Sequence, residues 1–313
     1  MKKAKQGAVP VPKKNLWKQI AKHWEFYVLL LPGIILTIIF KYVPMYGVQI
    51  AFRDYNPVGG FFGSPWVGLK WFERFFNNYN SIRMIKNTVL LSLYSILWTF
   101  PIPIILALLI NQVKWKKFQR VSQTILYAPH FISTMILCGM LRIFLSPYGG
   151  LISTIIQAFG GKATNLIDSA TAFRTIYISS SVWQDAGWGT IIYIATLSSV
   201  DVSLHEAARV DGATPLQRIF YIDIPELIPV IVIQLIMSFG NLMNVGFEKA
   251  YLLQTSLNKA TSEIIANYVY EQGLLKAMYS FSTAVGLFNT VVNIVLLVVV
   301  NTVCKRLSDV SFI

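Results

Sequence analysis

Long apolar stretches alternate with short polar ones along this chain. The apolar runs fall near positions 26–46, 87–111, 123–144, 173–199, 227–246 and 281–303, each close to the ~20 residues that a helix needs to cross the hydrocarbon of a bilayer. The pattern predicts an all-α integral membrane protein with six transmembrane helices. One permeating domain over 26–304 is flanked by a basic segment, 1–25, and a short tail, 305–313. An even number of crossings puts both termini on one side.

The polar insert between the fourth and fifth runs is the most specific local signal. Ser203 and Glu206 have the spacing of a capping box, which predicts a short helix starting at Ser203. Gly212 can take a left-handed conformation and end that helix. Thr214, Pro215 and Gln217 then form a second start signal, with Pro at the first helical position. The expectation is helix, sharp turn, helix, after which Pro225 and Pro229 break or reset the backbone. Ala207 and Ala208 leave one face of the first helix thin enough to seat in a partner's groove.

The run Glu206-Ala207-Ala208, then Asp211-Gly212-Ala213, then Ile222-Asp223-Ile224-Pro225 with Leu227 and Pro229, resembles the EAA loop in membrane subunits of type I ABC importers. Ile224-Pro225 stands where that family usually has Leu-Pro. The resemblance implies a cytoplasmic coupling loop at about 200–226, docked in a cleft of an ATP-binding subunit. Glu206, Ala207, Ala208, Asp211, Gly212, Ala213 and Pro225 are its expected coupling residues.

Composition reaches a membrane protein independently. Among 313 residues 55% are hydrophobic and only 13% charged, and the mean hydropathy is +0.55, too apolar for a soluble domain of this length. The net charge of +13 sits mainly in cytoplasmic flanks under the positive-inside rule. Lys2, Lys3, Lys5, Lys13, Lys14, Lys18 and Lys22 precede the first run, Lys114, Lys116, Lys117 and Arg120 follow the second, and Lys305 and Arg306 follow the last. Both termini are therefore expected in the cytoplasm. No basic stripe is interleaved with aromatics, so nucleic acid is not expected as a partner. The first run is too long for a cleaved signal and lacks a small-x-small site. Cys138 and Cys304 fall within spans and are read as reduced thiols.

Catalytic and nucleotide motifs are missing. Gly160-Gly161-Lys162 lacks the upstream glycine of a phosphate loop, and His23, His130 and His205 are scattered without metal spacing. A non-catalytic subunit with no cofactor or metal of its own is expected.

Three features remain. The loop 49–86, rich in Gly, Pro and aromatics, reads as an external cap, either for a binding protein or for packing on the span ends. Asp185 inside the fourth run costs about 2.5 to 3.5 kcal/mol on insertion scales. Trp183, Asp185 and Trp188 could therefore line a sugar path, or Asp185 could pair with a neighbouring helix while Gly187 and Gly189 allow close packing. Asn241 with Asn244, and Asn289 with Asn293, have helical spacing, so each pair is expected to share one face. Either interhelical hydrogen bonds or a wet substrate path explains them.

Beyond the loop, Lys41 to Gly47, Gln49 to Phe52, Asp54-Tyr55, Trp183 to Gly189, Tyr268 to Tyr270 and Gly286 to Phe288 resemble permeases of the LplB type, which serve complex-carbohydrate importers. This resemblance covers nearly the whole chain and implies the MetI-like fold of type I ABC importers in a bacterial plasma membrane. It further implies oligosaccharide import by alternating access, a second homologous permease, two ATPase subunits that bind ATP and Mg, and an extracellular solute-binding lipoprotein. An ion-coupled secondary transporter would show inverted repeats and broken helices with ion ligands, and a membrane enzyme would show clustered catalytic side chains. Neither pattern is visible.

Overall fold

The computed structural model describes residues 22–162 and 165–307. The lysines at positions 2 to 18 and the tail from 308 lie outside them. The principal helices are α1 (Trp24–Thr37), α2 (Ser81–Thr99), α3 (Pro101–Asn111), α4 (Lys116–Tyr127), α5 (Thr134–Phe144), α6 (Phe173–Ser198), α7 (Val202–Val210), α8 (Ile224–Gly240), α9 (Phe247–Leu253) and α10 (Tyr279–Leu307). The chain divides into two compact units, one ending at Gln49 and one beginning at Ile50.

In the first unit, α1 is apolar on all sides and has no buried residue, a composition suited to hydrocarbon. It runs into a π-helical turn, Ile38–Tyr42, two residues ahead of Pro44. The proline lacks an amide hydrogen and crowds the carbonyl four residues back. A wider turn absorbs both defects without breaking the helix.

Among the described residues, four helical stretches are long and apolar enough to cross a membrane: Trp24–Phe52, which begins in the first unit, and Ser81–Asn111, Pro215–Gly240 and Tyr279–Arg306 in the second. A bent pair, Lys116–Phe131 with Thr134–Phe144, brings the count to five. The expected six is not reached on length and apolarity alone, for two physical reasons. The third run is broken by 93°, because Pro129 removes a donor, Ile132 is extended and Ser133 starts a new helix by accepting from the Ile136 amide. The fourth, α6, has 26 residues but is diluted by Ser179, Ser180, Ser181, Gln184 and Asp185.

Between helices in lipid there is little hydrophobic gain, so close packing and hydrogen bonds hold the bundle. A Cβ on Gly187 would collide with the Leu126 carbonyl, and one on Gly189 would press on Pro103. The two glycines of α6 thus let α4 and α3 approach closely, as the packing reading of that stretch expects. Gln184 Nε2 donates to the Ile132 carbonyl at 2.8 Å, satisfying backbone that the break leaves open.

The stretch 241–278 between α8 and α10 carries only short helical pieces, and side chains from the long helices complete its backbone bonding. Thr88 Oγ1 accepts from the Ile265 amide at 3.0 Å, and Ser92 donates to the Leu242 carbonyl. Asn87 Nδ2 reaches the Ala260 carbonyl at 2.9 Å. Asn258, fully buried, donates to the carbonyls of Ile167 and Leu253.

The 49–86 region packs as well as projects. Trp71 and Phe75 are buried with Met84 against Phe281, Ala284 and Val285, and Trp71 Nε1 donates to the Arg53 carbonyl at 2.9 Å. Phe62, Tyr79 and Val58 remain almost fully exposed. A second core joins Leu91, Cys138, Phe173 and Tyr177 to Ala250 and Ile264. A third, of Ala107, Leu108, Tyr193, Leu197 and Leu227, ties the ends of α3 and α6 to the start of α8.

Candidate coupling loop and substrate path

The loop after α6 folds as a helix, a left-handed turn and a second helical start. Its first cap is Asp201 rather than Ser203: the carboxylate accepts from the Ser203 amide at 2.9 Å, so α7 begins at Val202. Both residues are competent caps, and the upstream one wins because its backbone is extended (ψ 120°). That amide bond holds the Asp201 carboxyl below its ordinary pKa.

Gly212 has φ +79°. The Gly212 amide donates to the Arg209 carbonyl at 3.1 Å and the Ala213 amide to the Ala208 carbonyl at 2.8 Å, the paired bonds of a Schellman motif. Thr214 and Gln217 form the reciprocal capping box expected from their spacing. The second helix is not separate from the fifth span, however, because Pro215–Gly240 runs as one helical stretch. Pro225 does not break it. A π turn, Ile219–Asp223, ends two residues before the proline, the same accommodation found ahead of Pro44, and Pro229 lies within α8.

Glu206, Ala207, Asp211, Gly212 and Pro225 are exposed, while Ala208 and Ala213 are half-buried. Around them Val210, Leu216, Phe220 and Tyr221 are 62 to 87% exposed. An apolar patch therefore crowns a rigid, capped turn. Beneath it Asp223 is fully buried, with Gln112 Nε2 at 3.1 Å from Oδ2 and His205 Nε2 at 3.4 Å from Oδ1.

Along the path candidates, α6 separates the two tryptophans. Trp183 lines an apolar pocket of about 280 Å³ with Leu137, Met140, Leu141 and Phe144. Trp188 opens on a different cavity, of about 540 Å³, with Thr99, Gln234 and Ser238. Asp185 pairs with a neighbouring helical segment, its Oδ1 lying 2.9 Å from His130 Nδ1. The His130 ring stacks on Trp188 at 4.4 Å and 9°, so one face of that indole is already covered. Nothing in the spacing of His130 pointed to this, since the contact spans 55 positions.

Asn241 and Asn244 do not share a helical face. The helix ends at Gly240, where Leu297 comes close, and the two asparagines sit on the turn after it. They line a cavity of about 220 Å³ with Ser92, Ser95 and Ser181, whose wall also carries Ile96, Leu242 and Val245. Thr99 and Ser238 border this cavity and the one at Trp188, so the two adjoin. Asn289 and Asn293, on α10, hold the turn: Asn293 Oδ1 accepts from the Met243 amide at 2.9 Å, and Asn289 Nδ2 donates to Asn244 Oδ1 at 3.0 Å. Beside the smaller cavity, buried Lys249 donates to Ser181 Oγ at 2.9 Å and stands 5.4 Å over the Tyr177 ring. Among the described residues no carboxylate lies within 4 Å of it.

Residues 79–309 match the family model of the binding-protein-dependent transport system inner membrane component. The chain belongs to this family. It is thus a permease component, embedded in the inner membrane, of a transport system that depends on a binding protein. The permease is 40% identical to the polygalacturonan/rhamnogalacturonan transport system permease protein YteP of Bacillus subtilis, over 95% of this chain and 92% of that one. It is 41% identical to Protein LplB of the same organism, over 90% and 88%. Among solved structures, a bacterial ABC transporter involved in the import of the acidic polysaccharide alginate superposes with a TM-score of 0.87 at 40% identity, covering 94% of the permease and 100% of that chain. A bacterial alginate ABC transporter in complex with an alginate pentasaccharide-bound periplasmic protein gives 0.86 at 39%, covering 95% and 100%.

Proposed function

We propose that this chain is the oligosaccharide permease of an ATP-driven importer, with six crossings, cytoplasmic termini, and a partner ATPase docked on the loop around Gly212. The observation that carries the docking is the capped turn with its apolar crown. A surface of Val210, Leu216, Phe220 and Tyr221 on a rigid support suits a protein cleft better than water. Lys305 and Arg306 at the end of α10, and the basic residues opening α4, support the orientation. A second, homologous permease, two ATPase subunits supplying ATP and Mg, and a solute-binding protein complete the assembly. In it, closure of the ATPases moves the loop and re-aims the spans. The path runs along Trp188, Asp185 and Asn241 to Asn244, with Asn289 and Asn293 supporting its wall and Trp183 at its apolar flank.

The test is a mild-detergent pull-down through a C-terminal tag, with mass spectrometry and an ATP hydrolysis assay. Recovery of a second permease and an ATPase, lost on replacing Glu206 and Gly212, is the expected result. A chain that purifies alone and moves solute without ATP would be a secondary transporter.

One observation favours acidic oligosaccharides. Lys249 is a buried cation beside the smaller cavity, in contact with a hydroxyl and an aromatic face and, among the described residues, with no carboxylate, and a low dielectric strengthens its pull on an anionic sugar. The names of YteP and the alginate transporter point the same way. Uptake of a uronic-acid pentasaccharide should exceed that of a neutral one, and Lys249→Met should narrow the gap. Equal uptake of both by the wild type would remove this preference.

A further inference from the structure

Of the nine residues of α7, only His205 and Ala208 are shielded from solvent. The helix meets the body of the permease through that one face. The partner of His205 there is Asp223, whose carboxylate is fully buried and is shared by three elements. Gln112, the residue that ends α3, donates to Oδ2 at 3.1 Å. His205, from α7, faces Oδ1 at 3.4 Å, and Asp223 itself closes the π turn that leads into α8. Arg218, one turn earlier, also acts on this carboxylate through space.

The cause lies in Pro225. A π turn inserts one residue into the helical register, which rotates the succeeding residues by about 100° relative to an unbroken α-helix. The inserted residue brings Asp223 to the inner side, one turn before fully buried Leu227. The link to α7 is also incomplete, because Oδ1 of Asp223 has no hydrogen bond: the imidazole stands within ion-pair reach at 3.4 Å but is not aligned to donate. A buried carboxylate oxygen without a donor is costly, so a small shift of α7 that aligns His205 with Asp223 is favoured by closing a charge-assisted bond. Because Gln112 and the start of α8 are fastened to the same carboxylate, such a shift pulls on the ends of the second and fifth spans together.

We propose that Asp223 is the joint through which α7 drives these two spans, with His205 and Gln112 as its positioning partners. This rests on the docking of an ATPase on the loop. The test uses the assembled transporter in proteoliposomes, with its solute-binding protein and a uronic-acid pentasaccharide as probe, in the variants His205→Gln, Asp223→Asn and the double variant. ATPase retention, ATP hydrolysis and sugar moved per ATP are measured together.

Each single variant should keep the ATPase and hydrolyse ATP while sugar per ATP falls about tenfold, and the double should fall no further than the worse single, as partners in one interaction do. A merely structural role would lower assembly and hydrolysis together and leave the ratio alone. Wild-type sugar per ATP in His205→Gln, or losses that multiply in the double variant, would overturn the joint. Should Asp223→Asn fail to accumulate in membranes, His205→Gln decides alone, since its site is near the surface. A wild-type complex that retains no ATPase would instead refute the docking itself.

Discussion

Nδ1 of His130 lies 2.9 Å from Oδ1 of Asp185, joining the break in the third span to the middle of α6. Both side chains are partly exposed, at 34 and 54%, so the pair itself contributes at most about 1 kcal/mol. Its effect is to fix the imidazole flat against Trp188. His130→Ala should therefore leave thermal stability within about 1 kcal/mol, yet lower sugar uptake several-fold by freeing the indole. Melting curves and proteoliposome uptake check this, and unchanged uptake would remove Trp188 from the path.

Gly212 sits at φ +79° with no atom within 4 Å of where a Cβ would stand, so only backbone strain opposes substitution. Gly212→Val should cost about 1 to 2 kcal/mol locally and abolish uptake while membrane insertion is retained. Gly212→Asn, which tolerates this conformation, should keep most of the activity. If both variants behave alike in transport, the turn is not what matters.

Thr214→Ala removes one half of the capping box and should cost about 1 kcal/mol of local stability. The expected readout is faster hydrogen exchange at the Gln217 amide, with the remaining spans unaffected.

Gly187→Ala drives a methyl group into the Leu126 backbone. Backbone cannot swing aside as a side chain can, so a loss of about 1 to 3 kcal/mol is expected, read as a lower melting temperature in detergent. A variant as stable as wild type would show that α4 and α6 are free to separate there.

The Asp201 carboxyl is held below its ordinary pKa by the amide of Ser203. A lowered pKa adds stability that is present above the unfolded value of 3.8 and lost as pH falls through the lower folded value. Hydrogen exchange at the start of α7 should be insensitive to this group at neutral pH and accelerate only in acid. Asp201→Asn should show no such acid-dependent step.

The sequence exposed the local features. Gly212, Thr214 and Gln217 could be read because caps and turns depend on neighbours three or four positions away. The cap at Asp201 was hidden because Ser203, two residues on, is equally suitable and paired in spacing with Glu206. Pro225 was visible as a disturbance, but whether a helix breaks or widens around a proline depends on what packs there, and Leu227 and the third core hold it continuous. The end of α8 was hidden because Gly240 gives a weak stop, so Asn241 and Asn244 read as a helical face. Contacts such as His130 to Asp185 and His205 to Asp223 join distant segments, and no spacing rule reaches them.

The stretch 241–278 borrows its bonding from elsewhere in the chain, with an order of assembly as the consequence. Thr88 and Ser92 are made long before it, but Asn289 and Asn293, which hold its first turn, are made after it. During synthesis that turn has no complete set of partners until α10 has entered the membrane. A chain stopped short of α10 lacks the acceptor that Asn293 offers the Met243 amide, so the last helix to be made completes a turn that the earlier helices leave open.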